Sequence, residues 1–239
     1  MSIGELICLL MRNNTADTID RTLVAEQVYE HLRRSILRGE MPQGSRIVEV
    51  HIAKSLGTSR APVREAVNRL IQDGLLETRA HYGASVIKMT AEKAQKLYDV
   101  RVAIECVAIR EVVRRRTSLS LVPLRRRIAE MKQRALANDL FGLVEAEMGF
   151  HEALWSMAGN PYLEKVAHMI GDQVRMALVL DNSGYANLND VATEHEPLVD
   201  AIEAGDEGTA VQMLADHIMH SLTAITVAQT PALESGNGA

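Results

Sequence analysis

Residues 49–74 leave this chain little choice of local fold, because they describe two short helices around a turn. The first helix runs to Leu56 with Ile52, Ala53 and Leu56 on its apolar side, and Gly57 turns the chain at low steric cost. Ser59 stands where an N-cap is wanted. Pro62 falls in the first turn of the second helix, where its missing N–H is not needed. Val63, Ala66, Val67, Leu70 and Ile71 then recur at helical spacing until Asp73-Gly74 closes the segment. Arg60, Arg64 and the Ser59 hydroxyl cluster at the start of that second helix, the end a helix-turn-helix presents to the major groove. Geometry and residue type alone point to DNA.

The charge distribution fits that reading, although the total does not. The 239 residues sum to −5, which by itself speaks against nucleic acid. Residues 19–89, however, hold 11 Lys+Arg against 8 Asp+Glu, and residues 90–239 hold 14 against 21. A basic small unit joined to an acidic larger one suits a DNA-binding module attached to something else. Hydrophobic residues make up 47% but aromatics only 3%, which favours aliphatic helix packing over a sheet-rich core. Cys8 and Cys106 form no framework and lack metal-ligand spacing, so both read as reduced thiols in a cytoplasmic protein. The apolar run 6–11 is too short to span a bilayer and no basic segment precedes it. No membrane partner is expected, and residues 1–18 read as a tail.

Residues 22–38 place Leu23, Val24, Val28, Leu32, Ile36 and Leu37 at helical spacing. Residues 46–48 read as a short extended piece. Segments 75–78 and 84–87 are strand candidates around a turn at His81-Tyr82-Gly83. Three helices and a two-stranded ribbon make a winged helix-turn-helix over 19–89.

The segments Pro42-Gln43-Gly44-Ser45-Arg46-Ile47 and Ala53 to Ala66, with Leu70 to Leu75, resemble the GntR family of bacterial transcription regulators. The ordered run Ser59-Arg60-Ala61-Pro62-Val63-Arg64-Glu65-Ala66 carries most of the likeness. The resemblance implies binding of double-stranded operator DNA through the second helix, with the wing reaching the minor groove. The expected contacts are Ser59 on a phosphate, Arg60 and Arg64 on bases or phosphates beside Ala61, Gly83 in the wing, and Arg34 and Arg46 on the backbone. Val50 departs from members that carry Arg there, so the operator sequence does not carry over.

From Thr90 onward every segment reads helical, with six helices at roughly 90–116, 121–137, 140–157, 161–180, 188–204 and 206–228. The fold class is mainly α: a winged helix-turn-helix followed by an all-α antiparallel bundle over 90–228. Residues 229–239 read as a disordered tail.

In three of these helices, polar residues fall where the core should be. Helix 140–157 has an inward stripe of Val144, Glu147, Met148, His151, Leu154 and Ala158. Helix 188–204 aligns Leu188, Val191, His195, Leu198, Val199 and Ile202, and helix 206–228 aligns Ala210, Met213, Leu214, His217, Ser221 and Ala224. Each histidine alone could be a satisfied core residue. One carboxylate and three imidazoles pointing inward together are explained more economically by a shared divalent metal, with zinc or nickel suiting the donor set.

The same stretches, Glu147-Met148-Gly149-Phe150-His151, Gly159 to Leu163, Glu194-His195 and Asp216-His217, are similar to the FCD ligand-binding domain of the FadR subfamily. The resemblance implies metal ligands at Glu147, His151, His195 and His217, where members usually carry Asp in place of Glu147. It also implies a small organic acid held beside the metal. Read from the residues, Arg101 and Glu105 are either a buried ion pair bracing the bundle or a site where the Arg101 fork grips a carboxylate. Arg175 is a weaker contact of the same kind, and His220 reads as exposed. The Arg114–Arg116 and Arg125–Arg127 runs read as solvated faces.

The expectation is a ligand-responsive DNA-binding regulator, acting as a homodimer because one small module makes too few base contacts for specificity. Two alternatives stand beside it: a direct metal sensor with no organic effector, and a metal-dependent hydrolase, for which no separate base or nucleophile constellation is present.

Overall fold

The computed structural model describes residues 23–79 and 83–229. The expected 1–18 tail, His81 and Tyr82 of the expected turn, and all but the first residue of the expected C-terminal tail lie outside these residues. The chain divides into two compact units, Met1–Lys88 and Met89–Ala239.

In the first unit α1 covers residues 23–37, α2 Glu49–Ser55 and α3 Arg60–Gln72. Strands β1 (Leu76–Arg79) and β2 (Gly83–Val86) pair antiparallel with Leu76 opposite Val86 and Arg79 opposite Gly83. Both strands sit one position away from the sequence reading. The extended piece expected at 46–48 joins the wing through its first two residues, with an Arg46–Ser85 bridge and the Ile47 N–H donating to the Ala84 carbonyl. The core is aliphatic: Val28, Leu32, Ile36 and Leu37 of α1 and Val63, Ala66, Val67 and Leu70 of α3 are all buried. Leu23, expected on the inward stripe of α1, is 57% exposed because the stripe starts at Ala25. Leu56 is also exposed, leaving Ala53 as the buried anchor of α2. Gly57 has φ +63, the left-handed conformation the turn requires. Ser59 occupies the N-cap of α3, but its hydroxyl makes no capping hydrogen bond.

The second unit contains α4 (Ala91–Arg115), α5 (Val122–Leu136), α6 (Leu140–Met157), α7 (Pro161–Asn182), α8 (Asn189–Ala204) and α9 (Glu207–Gln229). Local chemistry sets the helix starts. Thr90 accepts from the Lys93 N–H, Asp139 from Gly142, and Asn160 from Tyr162 and Leu163 ahead of Pro161. α4 packs on α9, α5 on α6 and α8, and α6 on α7, so α6 is enclosed by its neighbours. Burial follows: Leu143, Val144, Met148, Phe150, Leu154 and Trp155 of α6 are sealed from water. Fully burying each such side chain contributes about 1.5–3 kcal/mol. The buried polar residues of this unit are Arg101, Glu105, Glu147, His151, Asp181, Asn182, His195 and Ser221. Among the described residues no helix is long and apolar enough to cross a membrane.

Candidate metal centre and DNA-reading face

Glu147 and His151 stand one turn apart on α6, and α8 and α9 bring His195 and His217 to meet them. One donor atom from each residue lies within 4.8 Å of the others. Glu147, His151 and His195 are at most 1% exposed, and the His217 side chain is 8% exposed. The His195 and His217 rings meet edge to face at 4.3 Å between centroids, and His151 stacks on His217 at 6.0 Å.

Hydrogen bonds set the tautomers of two of these rings. The His195 Nδ1–H donates to the Val191 carbonyl at 2.6 Å, and a carbonyl can only accept. The His151 Nδ1–H donates to Glu105 Oε2, also at 2.6 Å. The proton is therefore on Nδ1 in both rings, and both Nε2 atoms present lone pairs. Those two Nε2 atoms are buried without a hydrogen-bond partner. Leaving a buried acceptor unpaired costs about 1–3 kcal/mol, so two of them in one cluster call for an electron-pair acceptor. Metal–ligand bonds of about 2.1 Å allow donors no more than about 4.2 Å apart, so the cluster needs to contract by roughly half an ångström. The residues fit a borderline divalent ion.

The electrostatics keep the site ready for a cation. Burial holds His151 and His217 below the usual imidazole range, and burial with neighbouring His151 pushes His195 down to about 3. All three rings are neutral at pH 7, as ligation requires. Burial raises Glu147 to about 7 against the opposing hydrogen bond from Asn182, whose Nδ2 donates to Glu147 Oε2 at 2.7 Å. Burial likewise raises Asp181 to about 7.

Arg101 and Glu105, expected to contact an effector, divide into different roles. Arg101 Nε donates to Glu105 Oε1 at 2.8 Å, while both terminal nitrogens of Arg101 are buried without partners. Half of the guanidinium is held by Glu105 one turn along the same helix, and half is buried without a partner. Glu105 has one oxygen on Arg101 and the other on His151, so it supports a histidine of the cluster and is not available to an acid. Burial would raise its carboxyl, but His151 and Arg101 outweigh burial and hold it at about 2. Arg175 is the clear correction. Glu145 at 3.2 Å, Glu152 at 2.6 Å and Asp172 at 3.2 Å surround its guanidinium, so it has no fork to offer an effector. His220 is exposed, as read.

Sequence reasoning missed Asn182 and Asp181 by ending α7 at residue 180. The stripe Ala167, Gly171, Val174 and Leu178 continues to both at helical spacing, and that was the available signal. Tyr98 was also missed: its buried hydroxyl has no partner, and the Arg101 guanidinium carbon lies 5.5 Å from its ring.

On the first unit, Arg46, Arg60, Arg64 and Gly83 line one groove of about 340 Å³, with Glu49 among them. Ser59 and Ala61 are exposed at the start of α3. Arg34 lies on α1 with its Nε donating to the Glu30 carbonyl, and it does not line the groove. The arginine runs of the second unit have protein partners. Arg114 pairs with Glu207, Arg125 with Asp200 and Glu203, Arg126 and Arg127 with Glu130, and Arg115 caps the end of α6.

Comparison with known proteins assigns both units. The family described as "Bacterial regulatory proteins, gntR family" matches residues 24–86, and the FCD domain matches residues 96–220. The chain belongs to the GntR family. A Paenarthrobacter nicotinovorans protein named "Probable D-xylose utilization operon transcriptional repressor" is 32% identical over 224 residues, covering 94% of this chain and 95% of that protein. Two solved structures share the fold. A GntR transcriptional regulator of Rhodococcus sp. RHA1 has a TM-score of 0.75 at 24% identity, covering 86% of this chain and 99% of its own. E. coli McbR/YncC has a TM-score of 0.71 at 20% identity, covering 87% and 99%. This GntR protein is a DNA-binding transcriptional regulator and not an enzyme, and its second unit is an FCD domain.

Proposed function

We propose that this regulator is a cytoplasmic repressor that binds a two-fold operator as a homodimer and is controlled by a small carboxylate held beside a divalent metal in its FCD domain. The observation that carries the reading is the set of unpartnered buried groups: Nε2 of His151, Nε2 of His195 and the two terminal nitrogens of Arg101. The first pair is electron-rich and the second cationic, so one site is suited to a metal ion and to an anion. Glu147, His151, His195 and His217 would hold the ion, zinc or nickel by donor type. When bound, the metal supplies positive charge on which a carboxylate can dock. Arg101 receives the carboxylate through its open fork, a bidentate geometry lysine cannot reproduce.

In the first unit, Arg60 and Arg64 reach base edges or phosphates, Ser59 and Arg46 grip phosphates, Ala61 allows close approach, and Gly83 keeps the wing narrow. Arg34 is a peripheral backbone contact. The effector acts through coupling: if the acid weakens DNA binding by some factor, DNA weakens acid binding by the same factor. Repression fits the printed name of the Paenarthrobacter relative.

A second reading is a direct metal sensor. Four protein donors complete a tetrahedral set, as in closed structural sites, which leaves an organic acid unnecessary. Equilibrium dialysis of the protein against metals and small acids, followed by release of DNA it selects from a random pool, separates the two. The effector reading expects release by an acid only in the metal-loaded protein. Release by metal alone, with no acid having any effect, would establish the sensor instead.

A further inference from the structure

Glu49 is the one acid among the residues lining the groove that holds Arg46, Arg60 and Arg64. A single oxygen, Oε2, faces Arg60 NH2 at 3.8 Å and Arg64 Nε at 3.5 Å. Both arginine side chains are well exposed, at 58% and 60%, while Glu49 is 27% exposed. Exposed ion pairs at such distances contribute about 0–1 kcal/mol each, so stability does not account for an acid at this place. On a surface meant for phosphates, a carboxylate also repels the ligand. Its position at the start of α2 favours the helix dipole, which an Asp would serve equally well.

Resting on the reading of this groove as the DNA face, we propose that Glu49 is a positioning residue that makes the surface sequence-selective. It tethers the two arginines to one point across the groove and leaves a local charge of +1 where two free arginines would give +2. Free arginines bind any phosphate, and phosphate contact carries no sequence information. Giving up each carboxylate pair costs about 0–1 kcal/mol, which cancels much of a single phosphate contact but is outweighed by a bidentate site such as the O6 and N7 pair of guanine, worth about 1–3 kcal/mol. The Glu49 oxygen so released can accept from a cytosine amino group, adding to the discrimination.

The test uses the full chain and two duplexes of equal length, one enriched by the wild-type protein from a random-sequence pool and one unrelated. Affinities are measured by fluorescence anisotropy across a salt series. Glu49→Gln keeps the reach and removes the charge; Glu49→Asp keeps the charge and the helix-start interaction but falls short of both arginines. In both variants the ratio of selected to unrelated affinity should fall about tenfold. Binding of Glu49→Gln to the unrelated duplex should strengthen, with a salt slope steeper by roughly one. Unchanged melting of Glu49→Asp shows that the loss is not one of folding. If both variants keep the wild-type ratio, Glu49 has no such role, while the DNA reading stands. If the wild type enriches no sequence, the DNA reading of the groove itself fails.

Discussion

His151 donates its Nδ1 hydrogen to Glu105 across 2.6 Å, and water reaches neither residue. Arg101 and Glu105 pair one turn apart within α4, and His151 stands on α6, so the carboxylate that Arg101 holds also orients a histidine of the cluster. Supports of this kind typically change metal affinity 10- to 100-fold when removed. Glu105→Gln should therefore lower metal affinity by about that factor in a chelator competition. Removing a partner of the buried Arg101 should also destabilise the domain by about 3–5 kcal/mol in urea unfolding.

The pH dependence of metal binding should follow a single carboxyl. The three imidazoles are held below their usual range by burial, whereas burial raises Glu147 to about 7. Below pH 7 the ion must displace the Glu147 proton, so affinity should rise about tenfold per pH unit up to 7 and then level off. Chelator competition from pH 5.5 to 8 reads the slope. A dependence on three or four protons would show that the histidines titrate like exposed ones.

Asn182 helps set that threshold, because its Nδ2–H bond to Glu147 is the larger of two effects that oppose burial, the Arg101 charge being the other. Asn182→Ala should move the break in the pH profile above 7 and weaken metal binding near neutrality, with the helix content by circular dichroism unchanged. A profile that stays in place would separate Asn182 from the cluster.

Arg101→Lys keeps a charge for Glu105 but loses the open fork. The variant should retain its metal and lose any thermal stabilisation by a panel of small carboxylic acids. In the wild type, an acid at a hundred times its Kd stabilises by about 2.7 kcal/mol. Equal stabilisation of both proteins would place the acid elsewhere.

The two units should respond separately to local changes. Tyr29 donates its hydroxyl hydrogen to Asp73 Oδ2 at 2.8 Å and lies under the Arg69 guanidinium, within the first unit. Tyr29→Phe should cost about 1 kcal/mol in the unfolding of that unit and leave metal affinity untouched.

The sequence carries the helical bundle and the convergence of Glu147, His151, His195 and His217 plainly, because imidazoles on an apolar stripe contradict the stripe's own logic. The supports are less legible. The Arg101–Glu105 pair is legible from its four-residue spacing, but that Glu105 also reaches His151 depends on how α4 is rotated against α6, and no periodicity encodes that. Arg175 shows the same limit from the other side: it sits among three carboxylates contributed by two helices. Asn182 was hidden because polar residues at a helix end look like the start of a loop. Glu49 was read only as part of a helix start, since its pairing with Arg60 and Arg64 crosses the turn between α2 and α3.

Glu147, His151, His195 and His217 are proposed to hold a metal ion. This is tested most directly by elemental analysis of protein purified in the presence of zinc and nickel, then desalted, for the wild type and for His195→Ala with His217→Ala. One divalent ion per wild-type chain and none in the doubly substituted protein is the expected result. A wild type without metal, or equal metal in both, would contradict it and leave the buried histidines as core residues.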